Sequence, residues 1–137
     1  MNRRHYPSWL RRRRRGAADH GILDELANAL CSGHEDAVRA LLHPDVAVVI
    51  DSGGHLPTAA TPVKGREEAA SELLRLMPSG TTTAAASING VPGLTLVRDD
   101  QVVGALTADM RSHLLVNVWI VCNPDKLRPW NREQSPR

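Results

Sequence analysis

The chain has 137 residues, 42% of them hydrophobic, with 17 Lys and Arg against 15 Asp and Glu. That length suits a single domain burying roughly two-thirds of its unfolded surface, so neither a metal nor disulfide staples are needed to hold it. Two cysteines 91 residues apart, Cys31 and Cys122, form no zinc motif, and no apolar run approaches the ~18 residues of a membrane span.

The formal charge of +2 hides a division. Residues 1–15 hold seven arginines and no acid, whereas the rest of the chain carries a net charge of −5. The arm, residues 1–18, has no helical period. Gly16, Ala17, Ala18, Asp19 and His20 follow its last arginine instead of an apolar export segment. It reads as an unstructured leader, or as the product of a misassigned start codon. Nucleic-acid binding would rest on Arg11, Arg12, Arg13, Arg14 and Arg15, with Tyr6 and Trp9 stacking on bases; the plain leader is the preferred reading.

Helical spacing then begins. Leu23, Leu26, Ala27 and Leu30 share a face from Asp19 to Ser32, Asp19 suits the N-cap and Gly33 the left-handed stop. Glu35 to Leu42 predicts a short second helix closed by His43 and Pro44. Val46 to Asp51 is a buried strand, Pro62 to Lys64 a short return strand, and Arg66 to Met77 a third helix. The period next changes from 3.6 to 2, giving strands at Thr81 to Ile88, Leu94 to Arg98, Val102 to Met110 and Leu114 to Cys122. Helices first and an antiparallel meander afterwards predict an α+β domain over 19–131 with helices on one face, and 132–137 as a tail. With no Phe and one Tyr, Leu, Val, Ile and Ala must fill the interior. The cysteines read as small buried hydrophobes of a reducing cytoplasm.

Glycine-rich phosphate loops, paired metal-ligand histidines and nucleophile elbows are all missing, so no metal or cofactor is expected. Three local features remain. The first is Asp51-Ser52-Gly53-Gly54-His55 at the end of the buried strand. Asp51 shares a side with Ala47 and Val49. If that side faces the interior, Asp51 is a carboxylate at the lip of an apolar cavity and a candidate general base. Otherwise it accepts amide hydrogen bonds from Gly53 and Gly54 in a turn, or serves as a recognition contact.

The second feature is Asp109 with Asn117 and Trp119 on neighbouring strands, lining a polar patch if they meet; Trp119 is a core residue or a ligand platform. The third is Asn123-Pro124-Asp125-Lys126-Leu127, a stop-and-turn signal after which Leu127 and Trp130 fold back as apolar anchors. Such a tail closes a pocket mouth or docks on another protein.

These residues resemble a known family. Ser-Gly-His-Glu-Asp between helices, then Leu42-His43-Pro44-Asp45-Val46, is similar to the SnoaL-like branch of the nuclear transport factor two-like superfamily. More narrowly, the chain resembles the C-terminal SnoaL-like domain of a group of extracytoplasmic-function sigma factors. Those domains carry Asp-Gly-Gly-Gly-Lys after the first strand, matched in part by residues 51–55, and Asn-Pro-Asp-Lys-Leu after the last, matched in full by residues 123–127.

The resemblance implies a cone of three helices against a curved antiparallel sheet around a central pocket. It also implies a regulatory domain, located in the cytoplasm, that contacts a sigma factor or RNA polymerase or holds a small apolar ligand; homodimers are common in the superfamily. Because about 18 residues precede the domain here, such a contact is expected to form in trans. The superfamily also contains isomerases, cyclases and lyases, some with an Asp base where Asp51 stands. They require an oxyanion donor, usually a Tyr in the first helix, where this chain has none. The enzyme reading is therefore the second choice.

Overall fold

Asp19 accepts a hydrogen bond from the Ile22 amide at 3.0 Å, the capping contact its position predicts. The helix it starts, α1 (His20–Ser32), ends at Gly33 with φ of 70°. Around it the computed structural model describes residues 16–52 and 62–134. The other elements are α2 (Glu35–Ala40), β1 (Leu42–Asp51), β2 (Val63–Lys64), α3 (Arg66–Arg75), β3 (Thr82–Ile88), β4 (Val91–Arg98), β5 (Gln101–Arg111), β6 (Leu114–Val121) and α4 (Pro124–Gln134).

Several boundaries differ from expectation: β1 begins at Leu42 instead of Val46, β4 begins at Val91 instead of Leu94, and α2 and α3 end early. Helix α2 stops early because sheet pairing takes over: the Leu41 carbonyl accepts the Leu115 amide at 2.8 Å, and Leu42 pairs with Leu115. Pro44, which has no amide hydrogen to donate, lies in the looped-out stretch before pairing resumes at Ala47. Helix α3 gives way after Arg75 to a tighter turn, with the Leu76 and Met77 amides bonding the Leu73 and Leu74 carbonyls.

The sheet order is β2-β1-β6-β5-β4-β3. It is mainly antiparallel as expected, with β1 and β6 paired in parallel. Three two-residue turns join the meander, at Asn89–Gly90, Asp99–Asp100 and Ser112–His113, and both residues of each have positive φ. That pair of conformations marks the mirror-image turn whose twist matches the flanking strands. Register shifts at Leu96/Val97 and Asp109/Met110 bend the strands and curve the sheet. Residues ahead of α1 join in: the Ala18 amide donates to the Ala108 carbonyl, and the Met110 amide to the Gly16 carbonyl, both at 2.8 Å.

The helix-facing side of the sheet holds the main core. Leu23, Leu26 and Leu30 of α1 and Leu73 of α3 pack on Val46, Val48, Leu106, Val118 and Ile120. Its buried members are all aliphatic, as the composition requires. On the other face a smaller cluster of Val102, Ala105 and Leu127 gathers Ile88, Val97, Val121 and Trp130. The expectation of two buried cysteines is corrected. Cys31 is exposed in the last turn of α1, 3.7 Å from the Thr83 hydroxyl, and Cys122 is half-buried.

Candidate functional site

Strand parity places the candidate residues. Val46 and Val48 enter the helix-side core, so Ala47, Val49 and Asp51 project from the opposite face. The parallel register sets Ala47 beside Asn117, Val49 beside Trp119 and Asp51 beside Val121. On β5, Asp109 pairs with Asn117 and Thr107 with Trp119. Asp51, Asp109, Asn117 and Trp119 therefore share the face that carries the smaller cluster. Asp51 thus projects from the face opposite the main helix-side core.

Asp51 meets the C-terminal motif instead. Its Oδ2 lies 2.7 Å from Lys126 Nζ, and its carbonyl accepts the Cys122 amide at 2.8 Å. The paired side chains are 37% and 56% exposed, so the ion pair stands at the surface, where a partner has access to both groups. Asp109 and Asn117 pair with each other but lie four strand positions away, roughly 13 Å, so they are not part of this site. Trp119 lies between and is 9% exposed, which fits the core residue rather than the platform. Gly53, Gly54 and His55 fall outside the described residues, as do Arg11 to Arg15.

The expected turn at Asn123-Pro124-Asp125 is a helix start. Asn123 Oδ1 accepts the Asp125 amide at 3.0 Å, and the Asn123 carbonyl accepts the Lys126 and Leu127 amides. Pro124 fills the first helical position, where no amide hydrogen is needed, and Asp125 faces the positive end of the helix dipole. Asn, Pro and Asp in that order are N-terminal helix signals, which the turn reading passed over. The motif thus aims Lys126 at Asp51 while Leu127, 2% exposed, anchors the helix on the sheet.

Asn131 completes the docking and had drawn no attention in the sequence. Its side-chain amide accepts from the Val102 amide at 2.6 Å and donates to the Val102 carbonyl at 3.1 Å. The pairing of β5 with β6 begins only at Ala105, so this carboxamide stands in for strand backbone beyond the end of β6. Asn131→Ala leaves that partly buried amide and carbonyl unpaired. It is expected to cost about 1–2 kcal/mol in chemical denaturation and to speed hydrogen exchange at Val102.

Burial, and secondarily the Asp51 charge, raises the Cys122 thiol pKa and keeps it protonated. Peptide mapping after brief alkylation at neutral pH should show Cys31 modified about tenfold faster than Cys122. Among the described residues no group of three or more His, Cys, Asp or Glu is placed to hold a metal, and no helix is long and apolar enough to cross a membrane. An open depression of about 450 Å³, lined by Arg39, Pro44 and residues 64–68, lies at the start of β1, away from Asp51 at its end.

No family model matches the sequence. The curated sigma factor SigJ of Mycobacterium tuberculosis, an extracytoplasmic-function RNA polymerase sigma factor, is 30% identical over 127 residues. The match covers 80% of this chain and 39% of SigJ, so the chain spans about two-fifths of the curated relative's length. The SigJ crystal structure superposes with a TM-score of 0.62 at 26% identity, covering 81% of this chain and 44% of that one. A candidate ketosteroid isomerase of Kribbella flavida superposes at 0.53 and 15% identity, with 74% of each chain covered. A candidate polyketide cyclase of Streptomyces antibioticus, IdmH, does so at 0.52 and 14%, covering 80% of this chain and 94% of its own.

Proposed function

We propose that the chain, whose fold is that of the nuclear transport factor two-like proteins, is a SnoaL-like domain that acts as a non-catalytic regulatory binding module. Its partner in this reading is a sigma factor or the RNA polymerase that carries one, which would place it in the cytoplasm. The observation that carries the reading is the Asp51–Lys126 pair. It joins the motif after the first strand to the motif after the last, residues 75 positions apart in sequence. The similarity to SigJ, over four-fifths of this chain, supports a partner in transcription initiation.

The alternative, an isomerase, cyclase or lyase with Asp51 as base, has less support. A base must reach a reacting atom in a site that excludes water, and Asp51 lies on the face away from the helix-side interior, engaged by Lys126. The lone tyrosine, Tyr6, lies outside the described residues. The isomerase and cyclase likenesses, at 15% and 14% identity, establish the fold and nothing about chemistry.

Exposed ion pairs contribute about 0–1 kcal/mol to stability, so breaking this one separates recognition from folding. The test measures binding of the purified domain to RNA polymerase holoenzyme carrying an extracytoplasmic-function sigma factor. Lys126→Ala is expected to weaken binding roughly tenfold while leaving the melting temperature nearly unchanged. Equal binding by both proteins, or none by the wild type, contradicts the reading.

A further inference from the structure

The described chain begins on the sheet. The Met110 amide donates to the Gly16 carbonyl and the Ala18 amide to the Ala108 carbonyl, which sets Ala17 directly opposite Asp109. A Cβ at Gly16 would stand 3.7 Å from the Asp109 carboxyl carbon. Residues 1–15, with seven arginines and no acid, therefore join the domain beside a carboxylate. Asp109 and its strand partner Asn117 are half-buried, and both stand on the face away from the main core. Trp119, two positions further along β6, is 9% exposed yet a member of neither apolar cluster.

We propose that the patch formed by Asp109, Asn117 and Trp119 is the docking site of the chain's own arm, residues 1–15. An arginine of the arm pairs with the Asp109 carboxylate, where a planar guanidinium can make two parallel hydrogen bonds. Asn117 offers its carbonyl oxygen to another, and the arm covers Trp119, whose ring face attracts guanidinium groups. Charge favours this occupant. The arm is wholly basic, whereas the residues after it carry a net charge of −5. The segment 53–61, which follows β1, has no Lys or Arg to offer Asp109.

Reach favours it too. Trp119 stands opposite Thr107, two positions along β5 from Asp109 or roughly 7 Å, and a chain of fifteen residues can span up to about 50 Å. Because the arm is joined to the domain, it meets the patch at a high effective concentration, so contacts too weak to hold a free peptide suffice. A charge contact at a half-buried site weakens with salt. The docking does not depend on the Asp51–Lys126 reading. Its consequence is that arginines otherwise open to the phosphates of a nucleic acid are held on the domain itself.

Exchange of the tryptophan indole protons with water, followed by NMR on the full chain, tests the proposal. In the wild type at low salt, Trp119 is expected to exchange slowly. Two variants are compared with it: one carries Arg11→Gln, Arg12→Gln, Arg13→Gln, Arg14→Gln and Arg15→Gln, the other Asp109→Asn. Each is expected to speed exchange at Trp119 roughly fivefold or more, as is high salt, while the Trp130 indole in α4 keeps its rate. The glutamine variant alters no residue of the described helices and strands, so it decides the matter if Asp109→Asn fails to fold. An unchanged Trp119 rate in that variant overturns the proposal and assigns the cover to another segment, such as 53–61. A parallel rise at Trp130 also overturns it, because it marks general loosening instead of release of the arm.

Discussion

Leu127→Ala is expected to release α4 from the sheet. Leu127 is 2% exposed and is the residue of α4 that enters the smaller cluster as a buried member, with Trp130 only partly covered. Truncating a buried leucine costs about 2–5 kcal/mol. Here the loss should fall on α4, because its apolar support is a handful of residues separate from the main core. Hydrogen exchange should show α4 losing protection while α1 keeps its own, and the Asp51–Lys126 contact should be lost with the helix. Uniform loss of protection would show that the two clusters unfold together.

Leu26→Ala is expected to destabilise the whole domain by about 2–5 kcal/mol, read from the shift in denaturation midpoint at constant slope. Leu26 is fully buried on the helix side of the sheet, among Leu23, Leu30, Leu73 and Leu106. This result bears on function as well as stability. A residue lining a preformed ligand pocket would lose few contacts on truncation, and the variant would melt close to wild type. A large loss marks the space around Leu26 as packed core and directs attention to the far face, where Asp51 lies.

Elements whose ends are set locally were legible in the sequence. Asp19 and Gly33 bound α1 where the capping chemistry required. The turns at Asp99–Asp100 and Ser112–His113 fell where period-2 runs broke, whereas β4 starts at Val91, inside the stretch 89–93 left between two expected strands. The parity that groups Asp51 with Val49 and Ala47 was legible too, but which parity faces the helices depends on how the whole sheet is covered. The pairing of Asp51 with Lys126 depends on β1 lying parallel to β6, a contact between the first and last strands that no local pattern encodes. Asn131 gave no signal because its role is to replace strand backbone beyond the end of β6. α4 was missed for a different reason: Asn-Pro-Asp was read as a terminator, although the same three residues cap a helix.

The central claim is that the two motifs act as one recognition site, and a double-mutant cycle on partner binding tests it most directly. Affinity for the sigma-containing holoenzyme is measured for wild type, Asp51→Asn, Lys126→Ala and the double variant. The account predicts that each single change weakens binding and that the double change does little further harm, giving a coupling of about 1 kcal/mol or more. Additive losses, or single variants that bind like the wild type, would contradict it.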